Sequence, residues 1–349
     1  MKNPIRLSLA CGLLAGLGTN AQAQSVSIYG IADLYAGSIR GSESRTVINE
    51  GGNAISRLGF RGREDLGGGQ SAYFVLEMGL TMDNGTIPMG GGFGRQSFVG
   101  IDGRWGALEA GRQYTPLFFN LLATVPFGMN ANWAPVQLAG STDGQPVAVR
   151  TVGFAMRQSN LLRYRYGGPV QAKGLRVEVA AAPDEGAAGL GGILAFAASY
   201  RGENYFIAYG AQRLDSGSAA ATPFRNETQG VNASYVFGRL TLSGAYLVSD
   251  SDALGARRAT HGVLGLAYDV GPHRWMAELN GRDLEDSPND ALAAAIGYDY
   301  RLSKRTSLYG RLLRLNNKGT AANTLAQAVV NAGSGDDVRA VALGIRHNF

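Results

Sequence analysis

The closing stretch Val338–Phe349 (VRAVALGIRHNF) alternates with a period of two. Val341, Leu343, Ile345 and Phe349 fall on one face, and Ala340, Ala342, Gly344, Arg346 and Asn348 on the other. Successive side chains of a strand point to opposite sides, so this pattern predicts a strand with one apolar and one wet face. Asn160–Gly167 (NLLRYRYG) repeats it, with Leu162, Tyr164 and Tyr166 against Leu161, Arg163 and Arg165. Ser56–Arg63 (SRLGFRGR) sets Leu58 and Phe60 against Arg57, Gly59, Arg61 and Arg63. An arginine held against lipid at the bilayer midplane costs about 2–4 kcal/mol. A face carrying three of them must therefore meet water, and the apolar face meets lipid or a core.

Short turn signals recur at Glu64–Gly69, Asp102–Gly106, Gly167–Gly174, Arg201–Asn204, Phe237–Arg239, Asp269–Arg274 and Ser303–Arg305. Between them lie mostly longer polar segments: Ile39–Asn53, Asp83–Gly92, Tyr114–Val149, Pro183–Gly189, Leu214–Glu227, Asp250–Arg257, Glu285–Asn289 and Asn316–Asp337. Seven short connections alternating with eight others predict an all-β chain of about sixteen strands. Short turns on one rim and longer loops on the other is the layout of a transmembrane antiparallel β-barrel. Sixteen strands leave room for an aqueous lumen. Tyr114–Val149 shows no clear alternation and is too long for an idle connection. We expect it to fold into the lumen.

A soluble β-sandwich would also alternate. Three features favour the barrel. Tyr29, Tyr35, Tyr209, Tyr246, Tyr268, Tyr298 and Tyr309, near strand ends, are expected on the outer face as an interfacial girdle. The wet faces carry charge repeatedly, and the last strand ends on an aromatic.

The first residues predict a targeting segment spanning 1–23. Lys2 and Arg6 precede a short apolar core, Leu7–Gly18, and Ala21-Gln22-Ala23 is a small-x-small cleavage site. Residues 24–349 then form the barrel domain. Cys11, the one cysteine, leaves with the segment, so no disulfide framework is expected. No other apolar run reaches transmembrane-helix length, so membrane entry would be through strands. The 51 glycines and 15 tyrosines, with 11 prolines and 3 histidines, suit strands apolar on one side only. The formal net charge of +5 falls to +3 without Lys2 and Arg6. That is too small and too dispersed for a nucleic-acid partner.

Several stretches resemble the trimeric general diffusion porins of Gram-negative bacteria, especially the β-proteobacterial branch. They are SVSIYGIADLYAG near the start, SRLGFRGREDLGGGQSAYFVLEMGL, FGRQSFVGIDGRWGALEAGRQYTPLF, MRQSNLLRYRY and the closing GIRHNF. The resemblance covers the chain from Gln24 on and is weaker from Gly186 to Asp290. It implies a homotrimer of sixteen-stranded barrels among outer-membrane lipids, each narrowed by an inward third loop. It also implies that Phe349 is the aromatic signal read by the outer-membrane barrel assembly machinery.

In that family basic residues on the wall face acids on the inward loop, and the field between them filters solutes. By resemblance Arg57 in SRLGF and Arg95 in FGRQ match wall arginines, while Arg150 and Arg157 sit where basic residues flank the loop's return. Arg61 and Arg63 are expected nearer the short-turn rim. The loop departs from the cation-preferring pattern: from Thr115 to Val149 its one acid is Asp143. The expected constriction is therefore Arg57, Arg95, Arg150 and Arg157 against Asp143, with net positive charge and a preference for small anions among hydrophilic solutes. Phe118, Phe119, Leu121 and Leu122 are expected to pack the loop on the wall; burying each contributes about 1.5–3 kcal/mol, enough without a helix. Pro126-Phe127-Gly128 reads as a turn at the loop tip, and Phe127 or Trp133 could stack a solute.

Other chemistry is thin. Gly67–Gly69 and Gly90–Gly94 complete no phosphate-binding fingerprint. A barrel phospholipase would need a nucleophile context such as GxSxG, which is missing, and His261, His273 and His347 are far apart. Asp250, Asp252, Asp286 and Asp290 are solvated loop charges or, alternatively, divalent-cation ligands. The expectation is a diffusion porin that is not an enzyme and needs no cofactor or metal. A substrate-specific porin for phosphate, a dicarboxylate or a sugar is the alternative.

Overall fold

Alternation along the chain becomes one closed antiparallel sheet. The computed structural model describes residues 25–88, 91–129, 133–139, 141–142, 153–183, 192–216, 224–324 and 332–349. The strands are β1 (Ser25–Arg40), β2 in two pieces (Ser44–Glu50 and Arg57–Gly67), β3 (Gln70–Gly79), β4 (Gln96–Gly103), β5 (Gly106–Tyr114) and β6 (Arg157–Tyr166). They continue with β7 (Gly174–Ala182), β8 (Ile193–Arg201), β9 (Tyr205–Ser216), β10 (Phe224–Phe237) and β11 (Leu240–Ser251). The last are β12 (Ala259–Val270), β13 (His273–Leu284), β14 (Ala291–Arg301), β15 (Thr306–Asn317) and β16 (Val338–Asn348). Each pairs with its neighbours in sequence, and β16 returns to β1, from Ile31 opposite Asn348 to Arg40 opposite Arg339. Closure leaves no open edge, as a spanning sheet requires. The expected count of sixteen agrees.

The short turns gather on one rim. In the first, Gly67, Gly68 and Gly69 all take positive φ (79°, 62° and 77°), which a side chain would oppose. Ile39–Asn53, expected as a loop, is mostly strand. Ser44–Glu50 pairs back on β1, with Ile48 exposed outside and Val47 packed inside. Only residues 51–56 leave the wall. Asp33 holds them: its Oδ1 accepts Gly52 N at 2.9 Å, and its Oδ2 accepts Asn53 N at 3.1 Å and Ala54 N at 2.9 Å.

The outward face is aliphatic, with Leu343 71 % exposed and Ile296, Leu312, Val341 and Ile345 beside it. Aromatics crowd the outside at the short-turn rim, where Trp105 stacks on Tyr164, Tyr200 on Tyr205, and Trp275 lies against Tyr298. Tyr209, Tyr246, Tyr268 and Tyr298 are outward as expected. Tyr29, Tyr35 and Tyr309 are not. They point into the lumen, where Tyr29 donates to Glu77 Oε2 (3.0 Å), Tyr35 meets Trp133 edge-on (5.5 Å) and Tyr309 donates to Asp33 Oδ1 (2.5 Å). On β1 the cause is register, since Tyr29 and Tyr35 share a face with Asp33.

The main apolar core lies inside the barrel, between the long third loop and the wall. Leu117, Phe118, Leu121, Val125, Phe127, Met129, Trp133 and Val136 meet Tyr35, Leu247, Val263, Met276, Ala295 and Leu313. The loop does use helices: α1 (Pro116–Leu122) and a short 3-10 turn, Pro135–Ala139. Pro116 occupies the first helical turn, where a missing N–H costs little. Thr115 ties the root of the loop to its return, its N–H donating to Met156 O (3.1 Å) and its Oγ1 to Ala155 O (2.8 Å). The targeting segment lies outside the described residues. No helix among them is long and apolar enough to cross a membrane.

Candidate functional site: the pore constriction

Strand register brings the predicted wall arginines together. Arg57 opens the second half of β2, Arg95 immediately precedes β4, and Arg157 opens β6 opposite Tyr114 at the end of β5. Glu77 of β3 lies between them, opposite Gly59 on one side and Gln96 on the other. Arg95 donates from Nε to Glu77 Oε1 at 2.7 Å, and Arg57 Nη1 stands 3.8 Å from the same oxygen. Arg95 Nη2 and Arg157 Nη2 each donate to the Tyr114 hydroxyl at 2.7 Å. Arg57 Nε donates to Ile55 O at 3.0 Å, so the inward excursion of β2 orients this side chain. Arg95 is 2 % exposed, whereas Arg57 is 22 % exposed and more open to the channel.

Arg57, Arg95 and Arg157 line one cavity of about 750 Å³. It continues past Asp299 and Arg346 to Arg301, Lys304 and Arg305 at the short-turn rim. Among the described residues its charged lining comprises eight basic side chains and one acid, Asp299, which is itself paired with Arg311 at 2.7 Å. Low-dielectric walls focus such a field along the passage. Arg150 and Asp143, expected at this constriction, lie outside the described residues. Arg61 and Arg63 sit nearer the short turns, with Arg63 on Asp102 at 2.7 Å and Arg61 over the Tyr29 ring.

The loop crosses the lumen and docks on the far wall. Glu278 of β13 accepts Val136 N at 2.8 Å and, more loosely, Phe127 N at 3.5 Å. Asn280 Nδ2 donates to Pro135 O (2.9 Å), and Asn120 Nδ2 to Tyr209 O (3.1 Å). Gly265 and Gly297 make room for Pro126 and Phe127, since a Cβ at either would collide with them. Pro126-Phe127-Gly128 forms the expected turn, with Gly128 at φ 62°. Leu122 differs from expectation. It is 38 % exposed and lines the channel, because Leu117, Phe118 and Leu121 fill the buried stripe of α1 and Leu122 falls at its margin. Phe119 is half-buried, with Arg163 and Arg176 over its ring. Trp133 is buried against Tyr35, away from the cavity, with no open face for a solute.

Sequence reading missed Glu77 and Tyr114. The signal for Glu77 is an acid inside the otherwise apolar YFVLEMGL. Tyr114 shows none beyond ending a strand. His261, His273 and His347 stay apart, the first buried, the second on Tyr298 and the third on Thr306. Asp250 pairs with Arg258, and among the described residues no three His, Cys, Asp or Glu side chains gather as metal ligands.

Residues 8–320 match the family model described as Gram-negative porin. The chain is 30 % identical to outer membrane porin protein 32 of Delftia acidovorans, over 98 % of this chain and 99 % of that one. It is 26 % identical to major outer membrane protein P.IB of Neisseria gonorrhoeae, over 87 % and 91 % of the two chains. Among solved structures, the anion-selective porin from Comamonas acidovorans superposes with a TM-score of 0.83 at 26 % identity, covering 93 % of this chain and all of that one. A trimer form of OmpT from Vibrio cholerae shares the fold at 15 % identity and TM-score 0.68. Closed barrel, inward loop and end-to-end likeness agree: this chain belongs to the Gram-negative porins, in their β-proteobacterial branch, and is a diffusion channel of the outer membrane.

Proposed function

We propose that the channel passes small anions in preference to cations, with Arg57, Arg95 and Arg157 as its filter. The observation that carries this is the lining, eight basic side chains against one acid among the described residues. Rings of like charge set ion preference in pores, and guanidinium keeps its charge at any working pH. Arg150 belongs to the same basic set and Asp143 is the loop's one counter-charge. The similar porin described as anion-selective supports the reading. The protein catalyses nothing; it replaces lipid with water along one path. Residues 1–23 are removed on export, the barrel of residues 24–349 works as a homotrimer, and Phe349 is read by the barrel assembly machinery. In a planar bilayer under a KCl gradient, the zero-current potential should take the sign of chloride selectivity. The opposite sign overturns the proposal.

Three guanidiniums around one passage also suit a narrower substrate class, phosphate or a dicarboxylate, because arginine binds such groups bidentately. Saturable block of the chloride current at micromolar phosphate or dicarboxylate would mark a specific porin. Block only at far higher concentration marks general diffusion.

A further inference from the structure

The helix of the third loop reverses the usual sidedness of a helix that meets water. A helix docked on a wall normally buries its apolar stripe and turns polar residues to solvent. In α1 the one polar side chain, Asn120, is buried and donates to Tyr209 O at 3.1 Å, while Leu122 is exposed on the channel. The loop goes on in the same way. Every described residue that it gives to the cavity of about 750 Å³ is apolar or glycine, from Phe118 and Leu122 through Met129. Met156, at the loop's return, lines the cavity too. Packing on the far wall accounts for the buried side of this segment and leaves its channel side without a partner.

This apolar strip runs up to the arginines. Phe118 stacks on Tyr114 with ring centroids 4.3 Å apart, and the Tyr114 hydroxyl accepts from Arg95 and Arg157. On the wall, Ile31 of β1 is the cross-strand partner of Arg57 and lines the same cavity. Sites that select small molecules combine a mostly apolar lining with a few placed polar groups. A hydrophilic anion would meet the guanidiniums and leave the strip in water. An anion with an apolar body engages both. We propose that the constriction binds monocarboxylates with a compact apolar body in preference to hydrophilic anions of the same charge, a specificity that rests on the anion preference proposed above. The carboxylate sits on Arg57, the most open of the three filter arginines, and the body covers Leu122 and Met156. Guanidinium grips a carboxylate through two parallel N–H donors, and apolar surface withdrawn from water adds to the hold. Inorganic anions have no body to cover the strip, and apolar cations carry the wrong charge for the wall.

The test reads block of the chloride current through the full chain in a planar bilayer at neutral pH. Two probe acids share one carbon skeleton and one charge: cyclohexenecarboxylate and its trihydroxy form, shikimate. The first should half-block at about a tenfold lower concentration than the second. Equal half-blocking concentrations, or tighter block by shikimate, overturn the proposal. Cyclohexenylmethanol, the uncharged analogue, should block more weakly than the apolar acid, and equal block would remove the arginines from the site and overturn it as well. Combined Leu122→Gln and Met156→Gln should shrink the gap between the two acids to about twofold, by weakening the apolar acid, whereas Arg57→Gln should weaken both acids. A gap that persists in the folded double variant refutes the assignment to these side chains. Should that variant fail to fold, the pair of acids on the unaltered chain still decides. A zero-current potential of the cation-selective sign in KCl would refute the underlying anion preference, while a chloride-selective sign with equal block by both acids refutes the apolar-body specificity alone.

Discussion

Arg157 holds its guanidinium 4.3 Å over the ring of Tyr114 and donates from Nη2 to the hydroxyl of the same residue at 2.7 Å. Arg95 donates to that hydroxyl at the same distance from the other side. A phenol oxygen positions two cations without cancelling their charge, which a carboxylate there would do. Tyr114→Phe should therefore leave the sign of ion selectivity unchanged while loosening both arginines. A hydrogen bond to a charged group contributes about 1.5–3 kcal/mol, so the thermal transition of the folded barrel should fall and open-channel current noise should rise. Single-channel recording with a melting curve checks both.

Glu77 is the acid behind the filter. It is buried, holds Arg95 at 2.7 Å, approaches Arg57 at 3.8 Å and accepts from Tyr29. Glu77→Gln removes one negative charge beside two arginines, so chloride preference should increase in the zero-current potential. The variant should also be less stable, by about 3–5 kcal/mol, because one partner of a buried ion pair has lost its counter-charge. A fall in chloride preference would place Glu77 outside the field that ions feel.

Arg57→Gln with Arg95→Gln removes two of the three filter charges. The zero-current potential in a KCl gradient should move toward zero. The barrel should still form, because its sixteen-stranded pairing does not depend on either side chain. Folding is checked by the mobility of unheated protein on a gel. Unchanged selectivity in a folded double variant would count against the filter.

Much of this architecture is legible in the alternation. Val338–Phe349, Asn160–Gly167 and Ser56–Arg63 assign their own faces, because lipid and water impose opposite chemistry on neighbouring side chains. What failed were the places where a polar partner, not lipid, decides. Tyr29, Tyr35 and Tyr309 carry an apolar ring and a polar tip, so either face suits them until their partners Glu77, Trp133 and Asp33 are known to be inside. Residues 44–50 look like a polar loop because their strand is short and reaches past the apolar band. The docking of the third loop was unreadable for a further reason. Its acid, Glu278, comes from the wall more than a hundred residues downstream, and its room comes from the glycines at 265 and 297.

Removing that dock should free the loop. Glu278→Ala leaves the Val136 and Phe127 amides without their acceptor, and a buried unpaired amide costs about 1–3 kcal/mol. Gly297→Leu would push a side chain into Phe127. Either change should raise single-channel conductance variance and lower the voltage at which channels close, while the barrel's melting temperature shifts less than with Glu77→Gln. Conductance identical to the unaltered protein in both variants would show that the loop is held elsewhere.

Leu122 offers the most direct test of what the loop lacks. It lines the channel that Arg57, Arg95 and Arg157 also line, and it is 38 % exposed, so a polar replacement meets water at little cost. It ends α1, where leucine and glutamate have similar helix propensity. Leu122→Glu therefore adds a carboxylate to the loop side of the lumen without disturbing the buried stripe of Leu117, Phe118 and Leu121. Chloride preference should fall, and potassium should carry a larger share of the current. Leu122→Gln, nearly the same shape without the charge, should keep the original zero-current potential. If both variants shift it equally, the effect is steric and the field across the lumen does not set selectivity. If only the glutamate shifts it, the missing acid of the third loop is what makes this passage favour anions.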